Sequence, residues 1–566
     1  MPFSKSSLSS YTSVLAVSVI AVSASVLTAC APSTLDPEPQ AEASISAADL
    51  GRRIERLSSD EFEGRAPGTQ GGQMASQYVA DEMKAAGLVP MGKDGSYFQP
   101  ITLTETTVSE GSFLDIAKDG GETIRYDFQE NTVYWTKRFT DSVSVENADL
   151  VFVGYGVVAP EYGWDDYADV DVTGKTVVMF VNDPGFATKD EALFNGNAMT
   201  YYGRWTYKFE EAARQGAAAA LIVHETKPAS YGWNVVADSW AGAQIDLVRL
   251  DEGASRAALE GWLSLEASKA LFANAGLDFV EMKAAASQKG FKAVPMSGLS
   301  LSATINNTIH TVSSRNVAGA VIGTKYPDEY MLYMGHWDHL GKKPVPEGED
   351  GIYNGAVDNA TGTAMILEIG EAFAQKPALR SILIVAVTAE ESGLLGSAYY
   401  AEDPIVPLSK TVAGINIDAV LPVGRTKDIV VVGFGASDLD DLLHDVIDPK
   451  GMYITPDPKP EAGYYYRSDH ISLAKKGVPM LYADGGIDHE INGKTYGEAF
   501  GEEYTLERYH APADEYDNTW DLTGIEQVGN VFYELGRAIA DSQDWPNWYE
   551  GAEFRALRDE MLKTNP

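Results

Sequence analysis

Three apolar runs in the second half of the chain have the length and composition of buried β-strands: Tyr330–Met334, Ile382–Val387 and Val412–Ile417. A helical pattern from Asn359 to Ala374 separates the first two runs, and the pattern of Thr523–Ser542 predicts a closing helix. Strands that alternate with helices predict an α/β architecture with a mixed, mostly parallel central sheet.

Residues that can bind metal stand at or just behind the carboxyl ends of these runs. His336 and Asp338 follow the first run, Glu390 and Glu391 the second, and Asp418 the third, while Asp358 opens the helical segment and His510 comes farther along. In open α/β sheets, ligands collect outside the carboxyl ends of the strands. The spacing therefore predicts one metal site at this edge of the sheet.

The residue types indicate zinc. Two histidines, two aspartates and one glutamate would suit two Zn²⁺ ions that share a bridging carboxylate, because imidazole nitrogen and carboxylate oxygen both satisfy this ion. One glutamate of the pair Glu390-Glu391 is then left over. Successive residues that leave a strand point different ways, so one of the two can bind metal while its neighbour reaches the attacking water.

These motifs resemble those of the co-catalytic di-zinc aminopeptidases, a metallopeptidase group that also contains glutamate carboxypeptidase, glutaminyl cyclase and the transferrin receptor. The resemblance implies a zinc-aminopeptidase-like α/β/α sandwich and two zinc ions per chain. It implies that His336 and Asp418 bind one zinc ion, that Glu391 and His510 bind the other, and that Asp358 bridges the two. It further implies a cis peptide bond between Asp358 and Asn359.

The same resemblance assigns the remaining roles. Glu390 is implied as the general base, and Asp338 as the acid that accepts the second ring N–H of His336 and fixes its tautomer. Tyr465 or Tyr466 is implied as the donor to the tetrahedral oxyanion, with Tyr465 the first choice by its offset from Asp469. His470 is interpreted as a wall residue, and His339 as structural or exposed.

Between about Ser142 and Ser297 the pattern changes to short strands without a catalytic constellation, and this block resembles a protease-associated domain. We expect it to cap or narrow the cleft. The predicted organisation is a signal peptide (1–29), a disordered tether (30–45), the amino-terminal part of the peptidase domain (46–141), the protease-associated insert (142–297), the catalytic core (298–545) and a tail (546–566).

The amino terminus resembles a bacterial lipoprotein signal. Lys5 precedes an apolar stretch, Val14–Ala29, that ends at Cys30, the only cysteine in 566 residues. Lipidation of Cys30 would anchor an exported protein to the cell envelope without any free thiol. Ala31 occupies the position where an aspartate is associated with inner-membrane retention, so we expect the outer membrane, facing the periplasm or the cell surface.

Charge narrows the range of partners. The chain carries 43 Lys and Arg against 82 Asp and Glu, a formal charge of −39, which disfavours nucleic acid and favours cations such as free amino termini. The sequence therefore predicts an aminopeptidase that acts on peptides. A carboxypeptidase or dipeptidase would need a basic pocket, for which only Arg467 is a candidate near the motifs. A non-catalytic binding protein is the third alternative, and the oligomeric state stays open.

Overall fold

The computed structural model describes residues 45–121, 123–249 and 251–563. The predicted signal peptide and Cys30 lie outside the described residues. The strands are β1 (Val89–Pro90), β2 (Phe98–Val108), β3 (Phe113–Lys118), β4 (Thr123–Arg125), β5 (Thr132–Trp135), β6 (Ser142–Phe152), β7 (Val158–Ala159), β8 (Trp164–Asp165), β9 (Thr176–Phe180), β10 (Ala219–Val223), β11 (Gln244–Leu247), β12 (Leu259–Leu263), β13 (Val294–Val321), β14 (Tyr326–His336), β15 (Gly341–Lys342), β16 (Ile352–Tyr353), β17 (Arg380–Val387), β18 (Thr411–Asn416), β19 (Asp428–Val432), β20 (Tyr453–Pro456) and β21 (Met480–Gly485).

The α-helices are α1 (Ala47–Leu57), α2 (Gln70–Ala85), α3 (Pro184–Thr188), α4 (Trp205–Arg214), α5 (Thr226–Ala229), α6 (Trp233–Ala241), α7 (Leu265–Asn274), α8 (Phe279–Ala286), α9 (Gly362–Gln375), α10 (Leu395–Glu402), α11 (Leu439–Ile447), α12 (His470–Ala474), α13 (Lys494–Glu503), α14 (Thr523–Ala540) and α15 (Arg555–Lys563). Within the described residues, no helix has the length and apolar character needed to cross a bilayer.

The first sheet contains the three strands that the apolar runs predicted. β17, β14, β18 and β21 are parallel neighbours at its centre, and antiparallel strands flank them on both sides. Along β14, Met331 and Tyr333 face one layer of the core, whereas Leu332 and Met334 face the other. Alternate side chains of a strand point to opposite faces, so a strand covered on both faces is apolar throughout.

Helices cover both faces of this sheet. α1, α2, α9 and α14 pack against one face, and residues of α10 and α12 fill the core on the other. The predicted α/β/α sandwich with a mixed, mostly parallel central sheet is therefore confirmed.

A second sheet lies outside this sandwich. Its strand order is β4, β3, β13, β6, β9, β10, β12 and β5, and two further hydrophobic clusters cover its faces. The long strand β13 belongs to both sheets, because its first half pairs with β3 and β6 and its second half with β2 and β17. Four of its eight strands, β6, β9, β10 and β12, lie wholly in the block that resembles a protease-associated domain, and the domain boundaries stay predictions.

The helix predicted from Asn359 begins later in the structure. A π-helical turn (Ala356–Thr361) precedes α9, and within it Asp358 and Asn359 have non-helical backbone angles. The turn displaces the start of α9 to Gly362 and leaves the Asp358 side chain free to turn away from the helix.

Candidate active site

The carboxyl edge of the parallel strands gathers the predicted ligands. His336 is the last residue of β14, Asp418 follows the end of β18, and Glu391 follows the end of β17. Because these three strands are parallel neighbours, their ends converge at one place. Asp358 and His510 reach the same place from loops, and the distances below show that all five side chains meet.

Two groups of ligand atoms share Asp358. The Nε2 atom of His336 lies 3.3 Å from Oδ1 of Asp358 and 3.2 Å from Oδ1 of Asp418. The Nε2 atom of His510 lies 3.2 Å from Oδ2 of Asp358 and 3.1 Å from Oε2 of Glu391. Each oxygen of the Asp358 carboxylate therefore faces a different histidine, which is the arrangement of a bridging carboxylate.

The donor atoms fit zinc. Bonds of about 2.0–2.1 Å in a tetrahedral Zn²⁺ site place neighbouring ligand atoms roughly 3.3 Å apart, and the four separations given above match that value. The chemistry of the donors also fits, because each group combines one imidazole nitrogen with two carboxylate oxygens. Both groups therefore have the composition and the spacing of a zinc site with room for a further ligand.

A third imidazole, that of His339, borders the second group. Its Nδ1 atom lies 2.6 Å from Oε1 of Glu391, and the side chain is only 1% exposed. Of the two alternatives for His339, structural or exposed, its burial excludes the second, and its ring lies beside the carboxylate of the predicted ligand Glu391. The available sequence signal was its position directly after Asp338.

The two neighbouring glutamates have opposite electrostatic surroundings. Burial raises the pKa of Glu390 well above its usual value, with only His336 opposing the shift. Burial also disfavours ionisation of Glu391, but the imidazoles of His339 and His510 outweigh it and hold the pKa of Glu391 at about 2. Environments that separate the pKa values of adjacent carboxyl groups are typical of groups with different roles.

Asp338 makes a contact different from the predicted one. The Nδ1 atom of His336 lies 3.2 Å from the backbone carbonyl oxygen of Asp338 and 3.9 Å from the carboxylate oxygen Oδ1. The carboxylate instead accepts a hydrogen bond from the backbone N–H of Glu390, at 3.2 Å. Asp338 therefore connects His336 to Glu390, with its backbone contacting one and its side chain the other.

Asn359 and Asp514 hold the loop that carries Asp358. The peptide bond between Asp358 and Asn359 is cis, as the resemblance implied. The side chain of Asn359 donates to the carbonyl of Ile417 and accepts from the N–H of Ala419, so it ties the loop to the segment around Asp418.

On the other side of the loop, the buried carboxylate of Asp514 accepts from the N–H groups of Val357 and Asp358, at 3.0 Å and 3.1 Å. It also accepts from the hydroxyl of Tyr504 at 3.2 Å. The sequence analysis missed Asp514, since nothing in its local pattern shows that it reaches a loop more than a hundred residues earlier.

Arg65 holds together the loops that lie next to His336. Its fully buried guanidinium donates to the carbonyl oxygens of Leu57, Trp337, Asn354 and Gly355. Four carbonyl acceptors from three segments hold the amino-terminal stretch against the site.

Asp418 is oriented by a short chain of hydrogen bonds. The hydroxyl of Ser468 donates to Oδ2 of Asp418 at 2.7 Å and accepts from the side-chain amide of Asn416 at 2.7 Å. The other oxygen, Oδ1, is thereby left to face His336.

A family profile described as "Peptidase family M28" matches residues 316–536, the segment that contains every predicted ligand. Residues 316–536 belong to peptidase family M28. The family resemblance drawn from the motifs is therefore confirmed for this segment, and the protease-associated insert stays a resemblance.

Three curated relatives resemble part of the chain. "Aminopeptidase NAALADL1" of Mus musculus is 33% identical over 129 residues, which are 21% of this chain and 16% of the relative. "Probable zinc metalloprotease" of Pyrenophora teres f. teres (strain 0-1) is 34% identical over 112 residues, 20% of this chain and 24% of the relative. "Glutamate carboxypeptidase 2 homolog" of Caenorhabditis elegans is 32% identical over 133 residues, 22% and 16%. The matched regions thus span a quarter or less of these relatives.

Two solved structures align with most of the chain at low identity. An aminopeptidase from Aneurinibacillus sp. strain AM-1 has a TM-score of 0.48 and 19% identity, and the alignment covers 88% of this chain and 95% of that one. A zinc aminopeptidase from Bacillus subtilis has a TM-score of 0.41 and 16% identity, with 90% and 100% covered.

The two tyrosines predicted as oxyanion donors, Tyr465 and Tyr466, have different surroundings. Tyr465 packs its ring against His470, and its buried hydroxyl has no partner among the described residues. Tyr466 donates to Glu553 at 3.3 Å and lines the cleft. These contacts do not test an oxyanion role for either residue, which stays a prediction.

The negative charges of the predicted ligands act on a third tyrosine, Tyr509. Its ring stacks on His510 with centroids 3.9 Å apart. Partial burial, together with the carboxylates of Asp358, Glu391 and Glu390, raises the pKa of Tyr509 and keeps its hydroxyl protonated. The sequence analysis overlooked this residue, although it directly precedes a predicted ligand.

Proposed function

We propose that the chain is a zinc-dependent exopeptidase that hydrolyses a terminal peptide bond with two zinc ions. The observation that carries the proposal is the Asp358 carboxylate, whose two oxygens face His336 and His510 separately. Membership of residues 316–536 in peptidase family M28 supports the reaction class. Such a carboxylate is what a pair of metal ions needs in order to act together.

Zinc would be held by His336, Asp358 and Asp418 on one side and by Asp358, Glu391 and His510 on the other. When bound, the two ions would polarise the peptide carbonyl and lower the pKa of the attacking water. His339 provides a further nitrogen beside Glu391.

Glu390 is the proposed general base. Donor atoms of Glu390, Glu391 and His336 lie within 4.8 Å of one another, so its carboxylate is at the site. No imidazole is within ion-pair distance of Glu390 among the described residues, in contrast to Glu391. Glu390 would accept a proton from the attacking water and return it to the leaving amine.

Tyr509 is the proposed donor to the oxyanion that forms on the peptide carbonyl. Its protonated hydroxyl can donate, and its ring is fixed by the stack on His510. A donor aimed at the developing charge lowers the barrier, and the loss of one such donor typically costs about 2.7–4 kcal/mol.

An aminopeptidase is the function that the charges around the metal ligands favour. The carboxylates of Asp338 and Asp469 are buried beside Glu390 and have oxygens without hydrogen-bond partners among the described residues. Burial raises the pKa of both groups to about 7, so above that pH they are carboxylates that attract the ammonium group of a free amino terminus. A carboxypeptidase or dipeptidase is the second candidate, because the structure adds Arg204 and other basic residues to Arg467 in the same cleft.

Export and lipid anchoring through Cys30 belong to the same proposal. They are supported by the apolar stretch Val14–Ala29 and the lone cysteine, which lie outside the described residues. An enzyme on the envelope would meet peptides outside the cytoplasm.

Blocked peptides test which end of the substrate is read. The aminopeptidase proposal predicts that acetylation of the amino end of a short peptide abolishes cleavage, while a peptide that is amidated at the carboxyl end is still cleaved. The reverse result would establish a carboxypeptidase. If zinc-loaded protein cleaves no unblocked peptide from a broad panel, the exopeptidase proposal fails and a non-catalytic role is favoured.

A further inference from the structure

The cleft that contains Glu390 and Tyr509 extends well beyond the metal ligands. It has a volume of about 500 Å³ and is lined by residues of both sheets, including Trp135 of β5, and by Trp240 of α6. A cavity of this size holds more than the scissile bond, so part of the substrate must contact residues outside the M28 segment.

The lining is basic compared with the rest of the molecule. Eight lysines and arginines and six aspartates and glutamates line the cleft, whereas the whole chain has 43 and 82. The sequence analysis found only Arg467 near the motifs, because the other basic residues come from distant segments. This local reversal of charge would favour an anionic group on the ligand.

Several of these cations already have partners within the protein. Lys137 lies 2.7 Å from a carboxylate oxygen of Asp246, and Lys475 lies 2.9 Å from one of Glu210. Arg256 likewise pairs with Glu260. The positive charges of these three side chains are therefore paired with carboxylates of the protein itself.

Arg204 and Arg467 have no such ion pair within the described residues. Among the described residues, no carboxylate oxygen lies within 4.0 Å of either guanidinium. The Nε atoms of both and one terminal nitrogen of Arg467 are buried without a hydrogen-bond partner. Burial, followed by the charge of Arg467, lowers the pKa of Arg204 to about 10, so the two cations are close enough to repel each other.

Other buried arginines of the chain show the contrast. Arg53 pairs with Glu82, Glu368 and Glu371, and Arg380 pairs with Glu329. A buried donor without an acceptor costs free energy, and two like charges in proximity add to that cost. By contrast, Arg204 and Arg467, which both line the cleft, have no ion-pair partner among the described residues.

We propose that Arg204 and Arg467 bind a carboxylate of the peptide substrate while the scissile bond lies at Glu390. Guanidinium groups suit this task because their planar donors pair with both oxygens of a carboxylate. The inference rests on the proposed peptidase function and names its substrate class: peptides with an acidic group near the cleaved bond.

Two chemical sources can supply that carboxylate, an acidic side chain and the carboxyl terminus of a short peptide. Arg204 directly precedes α4, a helix in the block that resembles a protease-associated domain. Arg467 lies shortly before α12 of the catalytic core. Recognition would therefore need both parts of the molecule. It gives the inserted block a role in substrate selection in addition to narrowing the cleft.

Peptide pairs test the proposal on the zinc-loaded enzyme. A tripeptide series in which one position is Glu or Gln, each made with a free or amidated carboxyl end, separates the two sources. We expect kcat/KM to be about 10- to 100-fold higher for the member with the recognised carboxylate. A Glu preference that survives amidation identifies the side chain, and a loss on amidation identifies the terminus. Equal rates for all members would overturn the proposal.

Variants assign the effect to the two arginines. Arg204→Gln and Arg467→Gln should each raise KM for the preferred peptide and bring the selectivity ratio towards one. Arg425→Gln removes the same charge from an arginine that does not line the cleft and pairs with Glu490, so it should keep the ratio. Selectivity unchanged in Arg467→Gln would contradict the assignment even if Arg204→Gln fails to fold.

Binding measurements test the arginine site separately from the peptidase reaction. The Glu390→Gln variant should bind the preferred peptide without turning it over, so calorimetry gives its dissociation constant directly. We expect the double variants Glu390→Gln with Arg204→Gln, and Glu390→Gln with Arg467→Gln, to bind it at least 10-fold more weakly. Selective binding without cleavage by the wild-type chain would sustain the arginine site and refute the peptidase function. Cleavage without selectivity would do the opposite.

Discussion

Replacing Asp514 with asparagine should destabilise the chain and weaken zinc binding, although Asp514 is not a proposed ligand. In the native structure its carboxylate accepts from the backbone N–H groups of Val357 and Asp358 and from the hydroxyl of Tyr504. Asparagine keeps the shape but presents an amide NH₂ where one of the oxygens stood. The Tyr504 hydroxyl can rotate and accept a hydrogen bond from this NH₂ group. The backbone N–H of Asp358 can only donate, so it loses its acceptor.

The structure sets the magnitude. One buried backbone donor without an acceptor costs about 1–3 kcal/mol, and the remaining bond loses the strength that a charged acceptor gives. We therefore expect Asp514→Asn to lower the free energy of unfolding by about 2–4 kcal/mol. Because the affected loop carries Asp358, the proposed bridging carboxylate, zinc affinity should fall by about 10- to 100-fold, as for other residues that orient a ligand.

Urea denaturation of metal-free protein, followed by tryptophan fluorescence, measures the first effect, and competition with a chelating indicator measures the second. Asp517→Asn is the matched control, because that exposed carboxylate lies in the same region and, among the described residues, accepts hydrogen bonds from Thr519 alone. If Asp514→Asn unfolds at the same urea concentration as the control and binds zinc equally well, Asp514 does not hold the loop.

Three further changes probe separate parts of the account. Glu390→Gln should retain both zinc ions by elemental analysis yet lose about 10²- to 10⁴-fold in kcat, and near-normal turnover would exclude it as the base. Tyr509→Phe should lower kcat by about 10²- to 10³-fold with little change in KM, and a larger loss in Tyr465→Phe would return the oxyanion role to that residue. Cys30→Ser should move the protein out of the membrane fraction, and unchanged fractionation would refute lipid anchoring.

The strands and most of the predicted ligands could be anticipated because their signals are local. The carboxyl-terminal half of β14 and all of β17 and β18 are buried, so these segments are mainly apolar, and a ligand at the end of each run follows from chain direction alone. The start of α9 was predicted too early, because a π-helical turn carries the ligand Asp358 outward before regular helix begins.

Other parts of the site depend on contacts between distant segments. Asp514 and Arg204 have no pattern around them that shows which loop or cleft they will reach. His339 directly follows the motif residue Asp338, and Tyr509 directly precedes His510. Only the structure shows that their side chains contact Glu391 and His510, respectively. The shared strand β13, which joins both sheets, could not be inferred from either block alone.

The central claim is that one carboxylate, Asp358, joins two zinc ions. Anomalous diffraction at the zinc edge from crystals of the zinc-loaded protein tests it most directly. We predict two peaks about 3.5–4 Å apart, one beside His336 and Asp418 and the other beside Glu391 and His510, with Asp358 between them. A single peak, or two peaks that do not share Asp358, would contradict the account.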